Sequence, residues 1–176
     1  MTVTTTLDEL NRCSPEAFVA VLGDIYEHSP WVAAQAAQKR PFSSVDDLQR
    51  VMFDRVLQSP QAIQIELIRK HPELAGKEAQ QDQLTAASND EQRGAGLDQC
   101  SAGELAQLRS LNAAYRERFG FPFVVAVSGL DRSQILDQIE QRLGNTPQQE
   151  QYNCIEQIGR IARIRLDKLL AVQPPD

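Results

Sequence analysis

Residues 101–127 read SAGELAQLRSLNAAYRERFGFPFVVAV, and this stretch decides the fold class. Ser101 and Glu104 have the spacing of a capping box, in which the hydroxyl accepts from a backbone N–H one turn on and the carboxylate reaches back to the start. Leu105, Leu108, Asn112, Tyr115 and Phe119 then recur along one helical stripe, and Gly120 suits the left-handed position just past a helix end. The spacing predicts a long, well-defined helix. Phe121-Pro122-Phe123-Val124-Val125-Ala126-Val127 is the only stretch that looks extended, and it is too short and isolated to found a sheet. We read it as a buried strap whose backbone N–H and C=O groups need partners.

Helices are expected on both sides of it. Ser14-Pro15, Ser29-Pro30, Ser59-Pro60 and Thr146-Pro147 each have the form of an N-cap followed by proline at the first helical position. The first pair should open a helix with Phe18, Val21, Leu22, Ile25 and Tyr26 inward and Glu16, Asp24 and Glu27 on the polar face. Ser44 should open another, with Asp46 and Asp47 in its first turn and Leu48, Val51, Met52 and Val56 buried. A helix from Ser59 turns Ile63, Leu67 and Ile68 inward and stops at His71, because Pro72 disfavours helical geometry before it.

From Gly76 to Cys100 the composition turns polar, which reads as an irregular connection with room for one short helix; so long a loop is functional or disordered. Residues 133–143 predict a helix with Leu136, Ile139 and Leu143 inward, and a last one runs from Pro147 towards Leu170. The chain therefore reads as all-α, one domain over residues 1–176, a bundle of about seven to nine helices with one short extended segment. Its ends, about residues 1–6 and 172–176, are expected to be flexible.

Hydrophobic residues at 41% and charged ones at 24% suffice for a packed core and exclude a disordered chain. A net charge of −6 argues against a broad nucleic-acid surface, which needs clustered Lys and Arg. No apolar run is long enough for a membrane span. The amino terminus lacks the blocks of a signal peptide, so cytoplasmic residence is expected. Cys13, Cys100 and Cys154 are far apart and read as free thiols. Two histidines cannot supply a multi-His metal site.

Three places could carry chemistry. His71 sits where a helix gives way to a Gly-containing loop, and an imidazole trades protons near neutrality; it could be structural or functional. His28 reads as a surface residue. Ser88-Asn89-Asp90-Glu91-Gln92 puts a hydroxyl, carboxylates and a carboxamide close together, either to cap and start a helix or to read a polar heterocycle. In the last helix Glu156, Arg160, Arg163 and Asp167 share one polar face, whereas Arg165 falls on the side of Ile158, Ile161, Ala162 and Leu169. An inward guanidinium either lays its stem on the core with the tip in water or meets a carboxylate of the protein or of a ligand.

These pieces, taken together, resemble the 2-oxo-4-hydroxy-4-carboxy-5-ureidoimidazoline (OHCU) decarboxylases. The matching residues are His71-Pro72-Glu73-Leu74-Ala75-Gly76; Ser88 through Gln92 with Ala95-Gly96-Leu97; Leu111-Asn112 and Tyr115 with Phe119-Gly120-Phe121-Pro122-Phe123; Arg142 with Asn145; and Arg165-Leu166. Each motif is weak alone, but they occur in the family's order. The resemblance implies an all-α, cofactor-free carboxy-lyase with no metal, usually a homodimer. It would act after urate oxidase and 5-hydroxyisourate hydrolase and release CO2 to give (S)-allantoin.

By that resemblance His71 is the acid–base residue, Glu91 the carboxylate that orients it and the substrate hydroxyl, and Arg165 the guanidinium that positions the substrate's negative charge. Pro72 would form a pocket wall, and Ser88 and Gln92 the ring and ureido contacts. The backbone of Phe123, Val124, Val125, Ala126 and Val127 would bind the same ligand. Several eukaryotic members end in a peroxisomal tripeptide, whereas this chain ends Gln173-Pro-Pro-Asp176, which favours the cytoplasm. The rival reading is a helical adaptor whose polar groups spread over an open groove, and a metal-dependent purine-ring hydrolase is disfavoured by the two histidines.

Overall fold

Nine α-helices and one 3-10 turn make up the regular structure of residues 5–75 and 84–170, which the computed structural model describes; no β-strand occurs among them. They are α1 (Leu7–Arg12), α2 (Pro15–Leu22), α3 (Trp31–Ala37), α4 (Val45–Leu57), α5 (Gln61–Arg69), α6 (Ala86–Gly94), the 3-10 turn Leu97–Gln99, α7 (Ala102–Phe119), α8 (Arg132–Arg142) and α9 (Pro147–Leu169). None is long and apolar enough to cross a membrane. The expected ends, including Gln173-Pro-Pro-Asp176, and Gly76 through residue 83 lie wholly or largely outside the described residues.

The chain divides into two compact units, Met1–Leu67 with Gly159–Asp176, and Ile68–Ile158. In the first, α2 packs on α3 and α3 on α4, around Leu10, Phe18, Leu22, Val32, Ala36, Phe42, Leu48, Met52 and Val56. Ser14 and Ser44 cap α2 and α4 as expected, each accepting from the N–H three residues on. Ser29 and Ser59 do not follow that pattern. The Ser29 hydroxyl donates to the Glu27 carbonyl at 3.0 Å, and Ser59 donates to Val56 at 2.6 Å, so both close the preceding turn.

The helix begun at Pro15 is also shorter than its stripe suggested. It stops at Leu22, and the chain passes through an irregular turn in which His28 has a φ of 49°. Ile25 and Tyr26 are buried from that turn rather than from a helix face, and Glu27, expected in water, is 1% exposed. Ile63 is exposed, while Leu67 and Ile68 are buried. Later in the same unit the Gln49 carboxamide donates to the Gly159 carbonyl at 2.9 Å. A methyl at Gly159 would come within 2.7 Å of the Phe53 ring, so any larger residue there forces the ring to shift.

In the second unit α7 lies against α8, and α6 runs into the 3-10 turn. Ser101 and Glu104 form the full capping box on α7, and Gly120 ends the helix with a φ of 80°. Asp131 and Gln134 form another on α8, while Thr146 and Gln149 make the reciprocal pair at the start of α9. On α8 the buried side is Ile135, Ile139 and Arg142, with Leu136 and Leu143 half-buried. The polar stretch before Cys100 is more ordered than expected, since it holds both α6 and the 3-10 turn.

Candidate active site

The turn that begins at His71 is built by the end of α5. After Arg69 the His71 N–H still reaches the Ile68 carbonyl at 3.1 Å, and Pro72 then forbids another helical residue. His71 is 6% exposed, Pro72 and Glu73 are half-buried, and Leu74 and Ala75 are buried. Ala75 has a φ of 49°, the left-handed region that costs a non-glycine residue about 1–2 kcal/mol. Two side chains hold it there. Gln92 Oε1 accepts from the Ala75 N–H at 2.9 Å, and Asn112 Nδ2 donates to the Leu74 carbonyl at 3.1 Å.

Gln92 comes from α6, whose N-cap is Thr85, accepting from the Ser88 N–H. Ser88, Glu91 and Gln92 stand at i, i+3 and i+4 and therefore share one face. It is the face from which Gln92 reaches the His71 turn. Ser88 and Gln92 are buried and Glu91 is half-buried. The expected hydroxyl, carboxylate and carboxamide thus lie together on a helix, and the capping role falls to Thr85 instead. Asn112, from α7, is a functional position for which the sequence indicated no role; its signals were its place on an otherwise apolar stripe and in the Leu111-Asn112 motif.

The strap at residues 121–127 forms neither strand nor helix and is buried apart from Ala126, which is half-buried. Its inner side is held by side chains. Arg142 Nη1 donates to the Val124 carbonyl at 2.7 Å, and Gln157 Oε1 accepts from the Ala126 N–H at 2.9 Å. Cys154 Sγ lies 3.9 Å from the Pro122 carbonyl. Further along, the Leu130 N–H donates to the Val127 carbonyl at 3.0 Å. Val125, 4% exposed, has no protein partner for its N–H or C=O among the described residues. A buried peptide group in that condition is a place for a ligand or water.

Arg142 itself belongs to a closed polar cluster. The Glu150 carboxylate, 0% exposed, accepts from Tyr115 Oη at 2.6 Å, Arg142 Nε at 2.7 Å, Asn145 Nδ2 at 2.9 Å and Asn153 Nδ2 at 2.7 Å. Burial raises the Glu150 pKa, but those donors, Tyr115 foremost, outweigh it and hold the carboxyl below its usual range. Burial also raises the Tyr115 hydroxyl and the Cys154 thiol, so both stay protonated. Arg142 lies 4.5 Å over the Phe123 ring as a cation–π contact.

Arg165 belongs to the first unit and points inward, as its helical face indicated. Its Nη2 donates to Glu27 Oε1 at 3.0 Å, and its Nη1 to the carbonyls of Asp24 at 3.3 Å and Ile25 at 3.4 Å. The protein carboxylate that the sequence left open is Glu27. Arg163 instead pairs with Asp167 at 2.9 Å and with Asp46 on the exposed face. His28 is exposed and 3.6 Å from Glu27. All three cysteines are free, and among the described residues no group of three or more His, Cys, Asp or Glu could hold a metal ion.

A family model described as OHCU decarboxylase matches residues 11–167. A 2-oxo-4-hydroxy-4-carboxy-5-ureidoimidazoline decarboxylase of Haloferax volcanii is 40% identical over 161 residues, covering 92% of this chain and 94% of that protein. The uric acid degradation bifunctional protein PucL of Bacillus subtilis is 38% identical over 165 residues, 94% of this chain and 33% of its own length. A crystal structure of (S)-allantoin synthase aligns with a TM-score of 0.73 at 28% identity, over 94% of this chain. The alignment covers 54% of that structure, so the chain spans about half its length.

Proposed function

This chain belongs to the OHCU decarboxylase family, and on that premise we propose how its residues convert 2-oxo-4-hydroxy-4-carboxy-5-ureidoimidazoline to (S)-allantoin. It is a decarboxylase of urate degradation. The substrate carries a hydroxyl and a carboxylate on one ring carbon, next to a ring C=N that bears the ureido group. When the bond to the carboxylate breaks, its electron pair forms a C=C bond and the C=N pair moves onto nitrogen, which takes a proton. The resulting enol loses its hydroxyl proton as the neighbouring carbon gains one on a single face.

His71 is the group that delivers this proton, and Glu91 orients the imidazole and the substrate hydroxyl. The observation that carries the reading is the Gln92–Ala75 hydrogen bond, which ties the turn beginning at His71 to the helix face bearing Ser88 and Glu91. Because a backbone N–H can only donate, the carboxamide oxygen must face Ala75, which leaves its NH2 end for the ureido carbonyl. Ser88 contacts the ring and Pro72 walls the pocket.

Within residues 123–127 the protein already engages the carbonyl of Val124 and the N–H of Ala126. Val125 therefore offers the ring its paired donor and acceptor, while Phe123 and Val127 flank it. Arg165 positions the substrate carboxylate. A guanidinium bound only to that carboxylate would favour the ground state over departing neutral CO2, and Glu27 tempers it.

We assign the protein to the cytoplasm as a homodimer, working beside urate oxidase and 5-hydroxyisourate hydrolase; the match to one third of a bifunctional urate-degrading protein supports the pathway link. Light scattering tests the dimer.

The decisive assay generates the unstable substrate from urate with those two enzymes and follows optical activity. Rapid appearance of (S)-allantoin, lost in His71→Asn while the circular dichroism of the fold persists, is expected; such an acid–base group contributes about 10²–10⁴-fold. Slow, racemic decay with folded wild-type protein would overturn the proposal.

A further inference from the structure

We infer that Arg142 is a positioning residue, which sets which backbone groups of the strap at residues 121–127 face the substrate, with Glu150 holding its guanidinium in place. The inference rests on the proposed substrate site at Val125.

Its first support is geometric. A guanidinium has a rigid planar fork, so fixing one edge fixes the direction of the others. Here Nε is fixed by the Glu150 carboxylate at 2.7 Å, and the plane is fixed again by its position over the Phe123 ring, 4.5 Å away. What remains is Nη1, 2.7 Å from the Val124 carbonyl, and Nη2, 3.3 Å from Cys154 Sγ. The Val124 carbonyl is thereby drawn onto one rigid cluster, and Gln157 draws the Ala126 N–H in beyond it.

The second support is what this leaves over. The C=O and N–H of a planar trans peptide point opposite ways, so pinning the Val124 carbonyl and the Ala126 N–H to the cluster turns the N–H and C=O of the intervening residue to the other side. Val125 is that residue, and its two groups have no protein partner among the described residues. A slip of one position would bury Val125 on the cluster and offer Val124 instead.

The cluster is also stiff. Glu150 is 0% exposed and accepts from four side chains, so displacing it or Arg142 breaks buried hydrogen bonds that solvent is not at hand to replace. A buried polar network satisfied at every member holds one arrangement, whereas a partly satisfied one does not.

Arg142→Lys keeps the charge and removes the fork, so it tests orientation rather than charge. With substrate generated in place, kcat/KM should fall about 10²-fold, with KM rising. The allantoin formed should lose optical purity, because a loosely held enol is protonated on both faces. The pH dependence of kcat should stay that of wild type, since His71 is untouched. In Arg142→Ala, added guanidinium at sub-denaturing concentration should restore part of the rate and of the (S) excess.

Gln157→Leu frees the other end of the strap without opening the cluster, and should raise KM and lower optical purity in the same sense. It serves as the deciding variant if Arg142→Lys does not fold. Folded Arg142→Lys, or in its place Gln157→Leu, that retains wild-type KM and a pure (S) product overturns the inference. Racemic product from the wild type would instead overturn the proposed function, so the two failures are distinguishable.

Discussion

Arg165 Nη2 lies 3.0 Å from Glu27 Oε1, with side chains 5% and 1% exposed, as a buried ion pair joining the end of α9 to the turn after α2. Removing one partner leaves the other charge buried. Glu27→Gln should therefore destabilise the fold by about 3–5 kcal/mol, while Glu27→Leu combined with Arg165→Met should recover much of that loss. Urea denaturation of the two variants checks it; equal stabilities would show the pair to be energetically unimportant.

Gln92 has two separable tasks, one for each end of its carboxamide. Gln92→Glu keeps an oxygen for the Ala75 N–H and loses the NH2, so its melting temperature should stay within a few degrees of wild type while kcat/KM drops by at least about tenfold. Gln92→Leu loses both and should fall in stability as well, by about 1–3 kcal/mol for the orphaned N–H. Calorimetry beside the coupled urate assay separates the two effects.

The depressed pKa of Glu150 fixes the sign of an acid effect. A carboxyl whose folded-state pKa lies below its ordinary value of 4.5 stabilises the fold above that pH, and this stabilisation is lost as pH falls through the lower folded value. Stability should therefore decline below pH 4.5 in wild type, and Glu150→Gln should flatten part of that decline. At pH 7 the same variant should already be about 3–5 kcal/mol less stable, because Arg142 loses its buried counter-charge. Denaturant midpoints measured from pH 7 to pH 3 report both.

Gly159 is limited by space rather than by backbone angle. Its added methyl would sit 2.7 and 2.9 Å from two atoms of the Phe53 ring, so Gly159→Ala should cost about 1–3 kcal/mol despite alanine's better helix propensity. Phe53→Leu in the same chain should relieve part of this. If Gly159→Ala proves stabilising, the close packing does not constrain the position.

Helix ends show how far local chemistry carried. Ser101 with Glu104, Ser14, Ser44 and Thr146 cap as their spacing indicates, because a cap is settled by groups three residues apart. Ser29 and Ser59 have the same local form, yet their hydroxyls close the preceding turn. Proline after serine is compatible with both uses.

Periodicity and motif order were enough, from the sequence alone, for the all-α class, the inward face of Arg165 and the family to which the chain belongs. These depend on local geometry, on a constant angle per residue and on matching short motifs. Tertiary structure decided what those angles could not reach: that α2 stops at Leu22 and delivers Glu27 to Arg165, and that Gln92 and Asn112 pin the turn after His71. It also decided that Arg142 and Gln157 take the strap's inner groups and leave Val125 over. Each of these pairs is separated by 17 to 138 positions along the chain, and no local rule sets the distance between residues so far apart.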